Sequence, residues 1–144
     1  MKPESLKDNI GYLTGDISHR LYQNVSRIFR ENKFKVTIEQ FSVLTLLWYE
    51  DGLRQQDIAD QLNRDKTTIT RVIDNMIKQN LVVKVPDKND KRVYGIYLTH
   101  YGKELENKMV MATGEVYIKM LQGLPDEEIE QVTGILNKIV NNLK

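Results

Sequence analysis

Thr67, Thr70, Arg71, Asp74 and Lys78 recur at helical spacing, so hydroxyls, a guanidinium, a carboxylate and an ammonium share one face. On the opposite face Ile69, Val72, Ile73, Met76 and Ile77 fall at i, i+3, i+4, i+7 and i+8, a single apolar stripe. A helix divided in this way buries its back and presents donors and cations at its front. The chemistry on offer is hydrogen bonding and charge neutralisation, and its natural counterparts are base edges and phosphates in the major groove of DNA. Nothing in the sequence suggests bond making. There is no glycine-rich phosphate loop and no nucleophile motif, and His19 and His100 stand far apart with no partner pattern. Two scattered histidines without cysteine make a poor metal-ligand set, so neither a metal nor any other cofactor is expected. The absence of cysteine also excludes disulfides and thiol-based redox sensing within this chain.

Such a front needs elements to hold it proud of the surface. Asp65 predicts the N-cap of a helix running to Gln79, and Asn80 follows as a residue able to take left-handed geometry. A shorter helix, Gln55 to Leu62, precedes it. Ala59 is the small residue where two steeply crossed helices touch, and Asn63 tolerates positive φ in the turn. Ile58, Leu62, Ile69 and Val72 lock the pair within a twenty-residue frame from Gln55 to Asp74. The β-branched and aromatic runs 81–85 and 93–98 flank the polar stretch 86–92 and read as a hairpin with a charged tip.

The rest of the chain supplies support. Apolar residues at 6, 10, 13, 17, 21, 25 and 28 predict one long helix from Leu6 to Phe29, starting at a Ser5 cap with Asp8 three residues on. Thr37 with Gln40 predicts a capping box opening a second helix, which buries Phe41, Leu44, Leu47 and Trp48 and ends at Glu50-Asp51-Gly52. Thr99 caps a fifth helix with the stripe Leu105, Met109, Ala112, Val116 and Met120. The acidic run Asp126-Glu127-Glu128 suits the start of a last helix, whose Ile129, Val132, Leu136, Ile139 and Leu143 are spaced like a coiled-coil seam.

With 144 residues, 40% apolar and 28% charged, the expectation is one globular domain. No apolar run approaches 18 residues and no basic-then-apolar leader is present, so the expected place is the cytoplasm, away from membranes. Net charge is only +1, but it is unevenly spread: residues 54–92 hold nine cations against six aspartates, and the stretch from Lys103 onward is acidic. The positive excess therefore sits on the helix pair and hairpin.

The segments DKTTITRVIDNMIKQNLV (65–82) and NDKR followed by Tyr97-Leu98-Thr99 resemble the MarR family of bacterial transcription regulators, and the likeness extends over nearly the whole chain. The resemblance implies a mainly α fold with a small β-hairpin wing: a winged helix-turn-helix lobe over 37–99, with dimerisation helices at 1–31 and 100–144. It implies that Lys66, Thr67, Thr68, Thr70 and Arg71 face the DNA groove. It implies also that Arg92 enters the minor groove braced by Asp90. The physics agrees, since a guanidinium is drawn to the negative potential of a narrow minor groove and a carboxylate two residues away can fix its direction. Lys88 and Lys91 complete the wing's expected DNA contacts. Arg54 and Arg64 read either as phosphate contacts or as solvated arginines, and Arg54 stands where the family commonly has a small hydroxyl residue opening the third helix. The resemblance further implies a homodimer on a pseudo-palindromic duplex and a small phenolic or anionic effector. Tyr12, His19, Tyr22, Trp48 and Tyr49 are the candidate effector residues, although such side chains on helix faces more often belong to a core or interface. A winged helix used only for protein contacts is the competing reading. Lys66, Arg71 and Arg92 on its presenting surfaces weigh against it.

Overall fold

The computed structural model describes residues 5–144. A 3-10 turn at Leu6–Asp8 leads into α1 (Ile10–Glu31), followed by α2 (Ile38–Tyr49), β1 (Leu53–Arg54), α3 (Gln55–Leu62) and α4 (Lys66–Lys78). Strands β2 (Val82–Pro86) and β3 (Tyr94–Leu98) come next, then α5 (His100–Met120) and α6 (Asp126–Asn142). This is the mainly helical winged architecture expected from the sequence. The sheet has one strand more than the predicted hairpin. Leu53 and Arg54 pair with Ile96 and Gly95, giving the antiparallel order β1-β3-β2.

The caps explain where most helices begin and end. Thr37 accepts the Gln40 N–H while the Gln40 side chain accepts the Thr37 N–H, a complete capping box for α2. Asp65 accepts the Thr68 N–H at the head of α4, and Thr99 accepts the Gly102 N–H at the head of α5. Asn63 and Asn80 both take left-handed backbone, with φ of 51° and 60°, so each closes its helix where a β-branched residue would be strained. The long first helix differs from expectation. Ser5 donates its hydroxyl to the Asp8 carboxylate and makes no cap hydrogen bond, and the cap is Asn9, which accepts the Tyr12 N–H. With residues 6–8 in a 3-10 turn and Asn9 as the cap, the helix starts at Ile10.

The core gathers one face from each element of the lobe. Val43, Leu44, Leu47, Ile58, Ile73, Met76, Leu81, Val82, Ile96 and Met109 are almost wholly buried, and Val25, Ile28 and Phe29 of α1 close it from above. Phe41 and Trp48 sit at its margin, edge-on to one another at 5.9 Å, and the Trp48 indole N–H donates to the Gly102 carbonyl at 3.0 Å. Gln40 and Thr113 are the buried polar residues among those described, and both are satisfied: the Thr113 hydroxyl donates to the Met109 carbonyl within α5, and Gln40 reaches the end of α4. The Gln40 amide donates to the Gln79 side chain, which itself donates to the Lys35 carbonyl, tying the end of α4 to the α1–α2 connection.

The chain ends carry their apolar faces outward. In α6 no residue is buried, and Val132, Ile135, Leu136, Val140 and, just past its end, Leu143 are exposed, as are Ile10, Leu13 and Ile17 of α1 and Met111, Ile118 and Met120 of α5. Along the predicted stripe of α5, Leu105, Met109 and Val116 are buried, Ala112 is partly buried, and Met120 at the helix end is exposed beside Val116, Ile17 and Leu21.

Candidate nucleic-acid interface

The α3–α4 pair is held at four points. Ala59 is buried at the crossing, Ile58 packs with Ile69 and Ile73 beneath it, and Asn63 turns the chain. The fourth contact is polar: the Gln55 amide donates to the Thr70 hydroxyl, and that hydroxyl donates to the Lys66 carbonyl at 2.8 Å. Thr70 is thus half-buried and its hydrogen-bonding capacity is engaged within the helix pair. Gln55 is the residue the sequence reading missed, because its partner lies on the next helix and no periodicity announces it.

Seven residues of α4 line its open front: Lys66, Thr67, Thr70, Arg71, Asp74, Asn75 and Lys78. Thr68 points partly inward, and its backbone and side chain support the Asp65 cap. Bonding to Thr68, reinforced by attraction to Arg71 and Arg64, holds the Asp65 carboxyl below its ordinary range. Asn75 was not singled out in the sequence, yet it stands four residues after Arg71 and so shares its face. Among the described residues of the helix pair and wing, Arg64, Lys66, Arg71, Lys78, Lys88 and Lys91 have no ion-pair partner, which leaves six cations free to meet phosphates.

The wing is joined to this front by an ion pair, Lys84 of β2 to Asp74 of α4 at 3.4 Å. At its tip Asp90 receives three hydrogen bonds from Arg92: the backbone N–H at 3.0 Å, Nε at 3.1 Å and a terminal nitrogen at 3.3 Å. These bonds, with attraction to Arg54 behind them, lower the Asp90 carboxyl below its ordinary range. The Arg92 side chain is 91% exposed although it is held at both one edge of its planar guanidinium and its backbone. It is an extended cation with a fixed direction, aimed away from the body of the protein. Arg54 lies at the wing's base, 3.4 Å from Asp87.

The candidate effector residues scatter. Tyr22 lines a cleft between α1, α2 and the α3–α4 turn, together with Thr37, Ile38, Glu39, Ser42, Leu62, Arg64 and Ile69, with a cavity of about 420 Å³. A second hollow continues it past Leu21, Phe41, Thr45, Leu46 and Tyr117. Trp48 is engaged with Phe41 and Gly102, Tyr49 is 89% exposed, and Tyr12 and His19 lie on the outer face of α1, so the structure does not gather these four around the cleft. Arg64, considered first as a phosphate contact, borders the cleft as well. Among the described residues no group of three or more His, Asp or Glu side chains is placed to hold a metal ion, and no helix is long and apolar enough to cross a membrane.

A crossed helix pair with an open polar front, beside a three-stranded sheet whose hairpin ends in a braced arginine, defines a winged helix-turn-helix, the class of DNA-binding transcription regulators. A profile of the MarR family matches residues 36–94, and Staphylococcus aureus MepR, solved as a DNA complex, is 30% identical, covering 94% of this chain and 99% of that one with TM-score 0.84. The chain belongs to the MarR family of transcriptional regulators. A Listeria monocytogenes regulator of the family, solved with a 26mer DNA, is 27% identical over 94% of this chain and 89% of that one, with TM-score 0.86. The Staphylococcus aureus transcriptional regulator MgrA is 24% identical over 123 residues, 85% of this chain and 80% of that protein.

Proposed function

We propose that this protein is a homodimeric repressor that reads a pseudo-palindromic operator and is released from it by a small anionic or phenolic ligand. The observation that carries the DNA reading is the pairing of the free cations along α4 with the extended, carboxylate-braced Arg92 of the wing. In this reading α4 enters the major groove with Lys66, Thr67, Arg71 and Asn75 foremost, Arg92 enters the adjacent minor groove, and Lys88 and Lys91 hold flanking phosphates. The likeness to MepR and to the Listeria protein, both solved with DNA, supports it.

One α4 reads few base pairs, whereas two related by a twofold axis read half-sites about one helical turn apart. The apolar faces of α1, α5 and α6, exposed in the single chain, support a homodimer closed through those helices. The cleft at Tyr22 and Arg64 supports the ligand. Its volume is in the range of small-molecule sites, its walls mix apolar Ile38, Leu62 and Ile69 with polar Thr37 and Glu39, and an arginine with Tyr22, Ser42 and Thr45 hydroxyls offers polar anchors. It is bounded by the dimer helix α1 on one side and the α3–α4 turn on the other, so a ligand that prefers one spacing of the two would shift the population of DNA-competent dimers.

The test is fluorescence anisotropy of the protein on the duplex flanking its own gene, across a salt series. The expected result is a sequence-selective complex whose log affinity falls with log salt by about 0.9 per phosphate neutralised. Binding that is absent at low salt would favour a winged helix used for protein contacts. Titration of the complex with 4-hydroxybenzoate and related aromatic acids, against an Arg64→Gln control, tests the cleft. Release that persists unchanged in the control would place the ligand elsewhere.

A further inference from the structure

Arg54 is one of the cations of the reading surface whose charge is already matched. It closes β1, where its backbone pairs with Gly95 of β3, and it immediately precedes α3. Its guanidinium lies 3.4 Å from the Asp87 carboxylate, at the point where β2 gives way to the wing loop. Asp87 is itself tied down: its N–H donates to the Val93 carbonyl at 2.8 Å, and its other carboxylate oxygen accepts the Asn89 N–H at 2.9 Å. Asp87 thus joins both sides of the loop that carries Asp90 and Arg92. Asp90 also feels the charge of Arg54, and it is Asp90 that receives Arg92. The contrast with Lys66, Arg71, Lys88 and Lys91, which have no carboxylate partner among the described residues, separates Arg54 from the cations free to meet phosphate.

We infer that Arg54 is a positioning residue of the wing: through Asp87 it anchors the hairpin loop to the start of α3, and so sets where Arg92 is presented. The inference rests on the DNA reading proposed above, and it makes Asp87, an anion on a DNA-facing surface, a contributor to binding. A phosphate-contacting Arg54 and a wing-positioning Arg54 predict opposite behaviour for Asp87. If Arg54 holds phosphate, Asp87→Asn removes a repulsion and frees the guanidinium, and binding tightens. If Arg54 positions the wing, Asp87→Asn weakens binding in the same sense as Arg54→Gln.

The experiment measures operator affinity for Arg54→Gln, Asp87→Asn and their combination, each also in an Arg92→Ala background. The expected result is a loss of about two- to fivefold per wing for either single variant, the range an exposed ion pair can supply, with no further loss in the double variant. In the Arg92→Ala background Arg54→Gln should cost less than in the native protein and leave the salt slope unchanged, because only Lys88 and Lys91 of the anchored loop then remain to be positioned. The charge swap R54D/D87R should recover part of the lost affinity. Tighter binding by Asp87→Asn overturns the inference. So does a salt slope that drops by a further ~0.9 when Arg54 is removed from the Arg92→Ala protein, since a lost phosphate contact does that. Amide exchange in the free protein separates failure of this inference from failure of the DNA reading. Faster exchange at Asn89 and Val93 in both single variants supports the anchor without DNA, and unchanged exchange there overturns it.

Discussion

Asp65 and Asp90 are carboxylates on a surface proposed to meet a polyanion, and each is occupied with holding a donor in place. Asp65 caps α4 through Thr68, and Asp90 fixes Arg92 through backbone and guanidinium together. Arg92→Ala is therefore expected to weaken operator binding roughly ten- to a hundredfold while the melting temperature stays within the scatter of a surface substitution. Anisotropy and a thermal melt on the same preparation check both halves. The two aspartates also set a pH signature. Both titrate below the ordinary value of 3.8 in the folded protein, so the unfolded chain takes up their protons first as pH falls. Their contribution to stability is complete above the ordinary carboxylate range and is lost as pH drops through the lowered folded values. Thermal melts between about pH 2.5 and 5 should fall more shallowly for an Asp65→Asn, Asp90→Asn double variant than for the native protein. From pH 5 to 8 neither group changes charge, and operator affinity should carry no titration from them.

At the scale of elements the sensitive junction is where α5 leaves the sheet. A Cβ at Gly102 would stand 2.3 Å from the Leu81 carbonyl oxygen, a backbone atom that cannot rotate away. Leu81 and Thr99 are hydrogen-bonded at that same point, and the Thr99 hydroxyl reaches the Asn80 carbonyl as well, so α5, β2 and the end of α4 meet there. Gly102→Ala should cost roughly 1–3 kcal/mol in urea unfolding, as overpacking of a close approach does. Local rules made these elements legible in the sequence: Thr37, Asp65 and Thr99 cap, Asn63 and Asn80 turn, and the apolar spacing of α4 gave its buried back. What was not legible depends on partners distant along the chain. Strand β1 has two residues and exists because Leu53 and Arg54 find β3 some forty positions later. The Gln40–Gln79, Gln55–Thr70 and Arg54–Asp87 contacts likewise span 39, 15 and 33 residues, and no periodicity encodes them. The start of α1 was misplaced because Ser5 and Asp8 satisfy each other locally, leaving Asn9 to cap.

For the whole molecule the decisive question is what covers α6. It buries none of its own residues, yet it spaces Val132, Ile135, Leu136 and Val140 along one side, and α1 and α5 expose apolar side chains of their own. A stable interface removes about 800 Å² from each partner, which two or three such helices can supply. Replacing Ile135 and Val140 by glutamate should convert the proposed dimer to a monomer in analytical ultracentrifugation, because two charges would then have to be buried unpaired. The core of the lobe contains neither residue, so its far-UV circular dichroism should remain helical. Operator binding should respond more steeply than any change at the reading surface. Two joined heads gain on the order of 10²–10⁴ in avidity over one, and the monomer should lose that factor on a duplex with two half-sites while binding a single half-site as before. A variant that keeps its dimeric mass and its affinity would show that α6 is not part of the interface and would leave α1 and α5 to form it.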